Sequence, residues 1–282
     1  MGIRTWAIAA TLCVLAPMSW GKGAIKTLDF PGAIATEAMS VNDRGDVVGF
    51  YTAADATMHG FLFSQGAYSS IDVPGATVTG AMGINNNGQI VGFYSSGSFA
   101  QGFYFDGASF TTLTFPGSNI TIADGINNLG EVVGYYKTTG IVRHGFSWSA
   151  SVYRHVDPKG MNDSVVTGIN DSGNMVGFFT DSGGQDHGFW LKGQTLGVID
   201  DPAGSNSSVW GINNSQIAVG YFVRAAGGTT GFAASQGNFV SIFCEGANDT
   251  AVQGINNNGQ IVGYYINPDG TVHGFLKTIM TK

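Results

Sequence analysis

From about residue 25 onward the chain consists of short apolar runs that alternate with polar residues, and Gly, Asn, Asp or Pro bounds each run. A side-chain period of two marks β-strands with one buried face, and no segment sustains the 3.6-residue period of an amphipathic helix. An all-β chain is predicted. In one representative stretch the runs are Thr79–Asn85, Gln89–Tyr94, Gln101–Phe105 and Ser109–Phe115, strands a to d of one unit. Asn85-Asn86-Asn87-Gly88 supplies a tight a–b hairpin and Asp106-Gly107 the c–d turn, because these residues tolerate positive φ. Pro-Gly pairs beginning at Pro31, Pro74 and Pro116 end strand d and start the crossing to the next unit.

The unit recurs six times. SVNDRGDVVGFY (40–51), GINNNGQIVGFY (83–94), GINNLGEVVGYY (125–136), GINDSGNMVGFF (168–179), GINNSQIAVGYF (211–222) and GINNNGQIVGYY (254–265) are versions of one segment. Their marker asparagines are Asn42, Asn85, Asn127, Asn170, Asn213 and Asn256, spaced 43, 42, 43, 43 and 43 residues apart. A second marker, Gly-Phe, begins at Gly60, Gly102, Gly145, Gly188, Gly231 and Gly274. Four-stranded repeats of about this length are the size of propeller blades. The phase of the chain supports a ring. A lone strand d, Ile25–Phe30, precedes the first a-b-c set, and the sixth unit stops after strand c near Ile279. In a six-bladed β-propeller the N-terminal strand completes the last blade and covers its open edge. A solenoid gives no reason for that permutation, and outer-membrane barrel strands are longer.

GINNNGQIVGFY, followed by a Gly-Phe marker that His precedes in four units, resembles the bacterial extracellular HAF repeat family across nearly all of residues 22–282. The resemblance implies an exported repeat protein and transfers no catalytic residue. Two units depart from it: Asn213-Asn214-Ser215-Gln216 lacks the turn glycine, and Cys244-Glu245-Gly246 stands where other units have Pro-Gly.

Composition narrows the function. Only 11% of the residues are charged and the net charge is -7, which excludes a nucleic-acid reader built on clustered Lys and Arg. Residues 1–21 read as a signal peptide: a basic start at Met1–Arg4, an apolar run Trp6–Pro17 too short to span a bilayer, and Ser19-Trp20-Gly21 before the cut. Export to the periplasm or the exterior is therefore expected, as one propeller domain over residues 22–282. Cleavage removes Cys13 and leaves Cys244 alone, in an apolar slot of the repeat, so no internal disulfide is expected.

Residues common to every unit are assigned to packing. The strand-a glycines, such as Gly83, leave room near the axis, and Val91-Gly92 lets an aromatic ring lie on the backbone. His59, His144, His187 and His273 each precede Gly-Phe, one to a unit, with Gln101 and Thr230 in the same slot. That slot asks for a hydrogen bond, and no metal site or cofactor is predicted. His155 falls outside the pattern, as a surface residue of strand d. Function is expected where the repeats disagree, near the axis on the face of the d–a and b–c loops. Three residues before the marker asparagine stand Met39, Met82, Asp124, Thr167, Trp210 and Gln253, and two further back Glu37, Gly80, Ile122, Val165, Ser208 and Ala251. Glu37, Asp124, Thr167, Trp210 and Gln253 are the candidate ligand residues, a mixture of carboxylate, hydroxyl, amide and indole that suits a glycan or small polar ligand. The expected function is a secreted, monomeric, non-catalytic binding or scaffold protein. The alternative is a lyase or hydrolase using Glu37 and Asp124 in a central pocket.

Overall fold

The computed structural model describes residues 23–161, 163–202 and 204–279. The expected signal peptide lies outside the described residues. Twenty-four strands and no helix are present among them. The chain enters with β1 (Lys26–Leu28). Blade one is β2 (Ala35–Val41), β3 (Val47–Thr52), β4 (Met58–Ser64) and β5 (Ala67–Ile71). Blade two is β6 (Val78–Ile84), β7 (Ile90–Ser95), β8 (Ala100–Phe105) and β9 (Phe110–Leu113). Blade three is β10 (Ile120–Ile126), β11 (Val132–Lys137), β12 (His144–Ser149) and β13 (Val152–His155). Blade four is β14 (Ser164–Ile169), β15 (Met175–Thr180), β16 (Asp186–Lys192) and β17 (Thr195–Ile199). Blade five is β18 (Gly204–Ile212), β19 (Ala218–Arg224), β20 (Thr229–Ser235) and β21 (Asn238–Ile242). Blade six takes β22 (Asp249–Ile255), β23 (Gln260–Ile266) and β24 (Val272–Thr278) from the C-terminal end. Its fourth strand is β1, paired antiparallel to β24 through Lys26–Leu276, Thr27–Phe275 and Leu28–Gly274. The ring closes as the phase of the repeats predicted.

The two sequence markers are halves of one contact. Phe61, Phe103, Phe146, Phe189, Phe232 and Phe275, the phenylalanines of Gly-Phe, are all fully buried. A Cβ on Gly92 would come within 2.0 Å of the Gly80 carbonyl and 2.9 Å of the Phe103 ring, and one on Gly49 within 2.0 Å of the Glu37 carbonyl and 2.8 Å of Phe61, so strand b needs glycine to lie against strand a and under the ring of strand c. A Cβ on Gly83 would meet the backbone of blade three at Asp124 O (3.1 Å) and Gly125 Cα (3.2 Å), which is the crowding expected at the axis.

The marker asparagines do more than turn the a–b hairpin. Asn42 Oδ1 accepts the backbone N–H groups of Arg44 and Asp46 and holds the turn. Its Nδ2 donates to the Asn85 carbonyl of the next blade, Asn85 donates to Asn127, and Asn127 to Asn170. Asn170 then donates to Asn213, Asn213 to Asn256, and Asn256 back to Asn42. One residue further on a second circle runs through Asp43, Asn86, Asn128, Asp171, Asn214 and Asn257, each backbone N–H donating to the next side-chain Oδ1. These six-membered circles brace the a–b end of the ring. Gln216, in the unit that lacks the turn glycine, adopts the left-handed conformation (φ 61°) that glycine occupies elsewhere.

Candidate functional site at the propeller axis

Strand a carries a β-bulge in every blade. Pairing with strand b slips between Ala38 and Ser40, Ala81 and Gly83, Ala123 and Gly125, Val166 and Gly168, Val209 and Gly211, and Val252 and Gly254. The skipped residues are Met39, Met82, Asp124, Thr167, Trp210 and Gln253, the variable row of the repeat. An inserted residue is free of the ladder, so the bulge re-aims its side chain. All six line an axial cavity of about 90 Å³. Below them a girdle of Val41 and five isoleucines, Ile84 to Ile255, is shared with a second cavity of about 60 Å³, which the asparagine circles line at the other end.

Four of the five candidates therefore meet: Asp124, Thr167, Trp210 and Gln253. Thr167 Oγ1 donates to the Val209 carbonyl of blade five (2.8 Å), so its hydroxyl hydrogen serves the inter-blade contact. The others are not so employed. Asp124 Oδ2, Gln253 Oε1 and Trp210 Nε1, from blades three, six and five, are buried without a completed hydrogen bond, the indole N–H lying close to the Tyr221 hydroxyl. Burial pushes the Asp124 carboxyl well above the ordinary carboxylate range, and nothing opposes that shift. That shift favours the protonated form of Asp124, which can donate as well as accept.

Glu37 is not among the residues that line the cavity, and neither is any other member of its row. An alternation of two, carried along strand a, does not survive the extra residue of the bulge. The Glu37 row instead faces the strand-b aromatics: Glu37 pairs with Phe50, Gly80 with Phe93, Ser208 with Tyr221 and Ala251 with Tyr264. Burial lifts the Glu37 carboxyl to about 7. Its charge helps raise the Tyr264 hydroxyl, behind the larger effect of burial.

Beside the cavity runs an aromatic shelf that sequence reading missed. Arg143 lies over the Phe178 ring at 5.1 Å, held by Asp163 (2.7 Å) and Thr180 (2.8 Å). Phe178 lies 6.0 Å from Trp210, which lies 6.5 Å from Tyr221. The available signal was the Phe/Tyr variation in the GFY segment, where Tyr135, Tyr221 and Tyr264 replace Phe.

The histidines of the repeat sit away from the axis. His59, His144, His187 and His273 each bring Nδ1 to a carboxylate, Asp72, Asp157, Asp200 and Asp29, at 2.7–3.1 Å. Where the histidine is missing, at Gln101 and Thr230, the aspartate is missing too, replaced by Thr114 and Phe243. Histidine and aspartate thus form one structural pair. His155 is half-exposed, as expected of a surface residue, but it also bonds the Tyr136 hydroxyl and approaches Asp157.

No protein-family profile matches the chain, and no curated protein is similar to it. Solved structures do match. AofleA from Arthrobotrys oligospora superposes with a TM-score of 0.56 over 92% of this chain and 89% of its own, at 10% identity. The lectin of Aleuria aurantia, described as a six-bladed β-propeller with a fucose recognition mode, gives 0.53 over 91% and 96%, also at 10% identity. The fold is a six-bladed propeller. TolB from Acinetobacter baumannii gives 0.61 at 9% identity, over 84% of this chain and 64% of that one. At such identities the likeness concerns the fold, and function rests on the site.

Proposed function

We propose that this propeller is a secreted, non-catalytic binding protein that takes one polar group of a glycan into its axial cavity. One observation carries the reading: around one axial cavity, Asp124 Oδ2 of blade three and Gln253 Oε1 of blade six stand buried and unpaired, with the Trp210 indole of blade five between them. Leaving a buried polar atom unsatisfied costs about 1–3 kcal/mol, so unpaired acceptors on residues that line a cavity favour a bound polar partner. The cavity's 90 Å³ suits a few ordered waters or one small polar group rather than an extended ligand. The rest of the ligand would lie outside the cavity, and Trp210, the one aromatic residue that lines it, is the candidate face for a sugar ring. Structurally similar proteins are described as bound to Fucα1-6GlcNAc and to α-methyl fucoside, which supports a carbohydrate as the ligand class. The leader over residues 1–21 and the HAF-type repeats support export. The lyase or hydrolase reading needed Glu37 and Asp124 in one pocket, and Glu37 is not among the cavity's lining residues.

A glycan array followed by calorimetry on the best ligand tests this. Trp210→Ala and Gln253→Ala should each weaken binding at least about tenfold, the effect of roughly 1.4 kcal/mol. Trp210 is lined by the cavity on one side, so its truncation should cost less than the roughly 3–5 kcal/mol of a core tryptophan. Wild-type affinity in both variants would overturn the axial site.

A further inference from the structure

Blade three departs from its five sisters at one corner. In blades one and six the strand-c histidine uses Nδ1 for its aspartate and Nε2 for a threonine, Thr57 (2.8 Å) or Thr271 (3.0 Å). In blade four His187 Nε2 lies 3.5 Å from Asp181 Oδ2. Blade three has Val142 in the threonine position, and among the described residues no hydrogen bond or ion pair engages His144 Nε2.

The second departure is His155, the last residue of β13. It pairs across from Phe146, and the residues in the same place in the other blades are Ser70, Thr112, Val198, Ser241 and Thr27. In three of those blades the hydroxyl bonds a strand-b tyrosine: Ser70 with Tyr51, Thr112 with Tyr94 and Thr27 with Tyr265. His155 makes the same bond through Nδ1, 3.0 Å from the Tyr136 hydroxyl. Serine would suffice for that. The imidazole adds Nε2, which lies 3.2 Å from Asp157 Oδ2, and this same oxygen is 2.7 Å from His144 Nδ1. One ligand atom from each of the three side chains thus lies within 4.8 Å of the others.

The surroundings fix these groups. Asp157 Oδ1 accepts the Gly145 N–H (2.9 Å) and the Ser164 hydroxyl (2.8 Å), which leaves Oδ2 turned toward the two rings. Tyr136 orients His155 from behind. Such outer partners are what a metal centre uses to hold its ligands.

We propose that His144, His155 and Asp157 form a binding site for a divalent transition-metal ion, with Zn²⁺ the best match. Two imidazole nitrogens and one carboxylate oxygen suit Zn²⁺, whereas Ca²⁺ and Mg²⁺ call for oxygen shells. Tetrahedral bonds of about 2.0–2.1 Å set ligand atoms roughly 3.3 Å apart, so the observed 2.7 and 3.2 Å need only a small outward adjustment. Three protein ligands leave a position open, and the rings are 31% and 51% exposed, so water can fill it. Bound there, the ion would tie β12 to β13, and through Ser164 to the first strand of blade four.

The test is calorimetric titration of chelator-stripped protein with ZnCl₂, beside melting curves with and without the metal and a MgCl₂ control. Wild type should take up one equivalent of zinc, melt higher with it, and ignore magnesium. His155→Ser keeps a hydroxyl for Tyr136; it should keep the metal-free melting temperature and bind zinc at least about tenfold more weakly. His187→Gln, at an ordinary histidine–aspartate pair, should bind zinc like wild type. Should His155→Ser fail to fold, His144→Gln replaces it with the same expected loss, since Gln101 fills that slot in blade two. No uptake by wild type, or unchanged uptake in the ligand variant, would overturn the site.

Discussion

Glu37 shows what one side chain costs when the repeat gives it no partner. It titrates near 4.5 in an unfolded chain and at about 7 in the fold, where burial disfavours the charge. Between those values the native state keeps a proton that the unfolded chain has released, so stability falls as pH rises from 4.5 to 7 and stays lowered above. Glu37→Gln removes the titration. It should match wild type near pH 4 and exceed it at pH 8 by on the order of 1–3 kcal/mol, read from urea denaturation at both pH values. A variant that loses stability at pH 8 would mean that the ionised carboxylate has a partner in the fold. The chemistry of this residue was legible in the sequence as an odd carboxylate in an apolar row, but its position was not. Asp124, Trp210 and Gln253 were legible for the opposite reason. They vary where their neighbours on strand a do not, and the bulge that turns them toward the axis sits at that same residue in each blade.

Among elements, the a–b turn holds the largest share of what the sequence concealed. Asn-Asn-Asn-Gly reads as a hairpin turn, and locally it is one. Only closure of the ring brings Asn42 to Asn256 across the whole chain, and no pairing of that span is visible in a local pattern. Asn170→Ala would remove one buried donor to Asn213 and the acceptor for two backbone N–H groups, one buried and one part-buried. The expected loss is about 2–4 kcal/mol, measured by urea unfolding. Asn170→Asp keeps the acceptor but buries a charge and loses the donor, and should be no better. A change below about 1 kcal/mol in both would mean that the circle contributes little beyond shape. By contrast, the Val-Gly marker was readable in the sequence, because it serves a contact within one blade.

For the whole molecule, closure by β1 is the feature on which stability turns. Deleting residues 22–30 would uncover the edge of β24, remove Leu28 from the core, and strip Phe30 from its stack on Tyr51 at 3.7 Å. The melting temperature should fall by at least about 10 °C, or the protein should aggregate, as an exposed edge predicts. Melting like the intact chain would contradict the ring. The second circle of side chains adds a further turn. Its order is Asp43, Asn86, Asn128, then Asp171, Asn214, Asn257, and each aspartate accepts amide hydrogens from both neighbours: Asn86 and Asn257 at Asp43, Asn128 and Asn214 at Asp171. The sixfold ring is therefore twofold in its chemistry. Residues 23–149 begin with an outer strand and end on a c strand that lacks one, and they hold one complete Asp-Asn-Asn set. Each half thus carries the outer strand that the other half's last blade lacks, so the ring is joined at two equivalent seams rather than one.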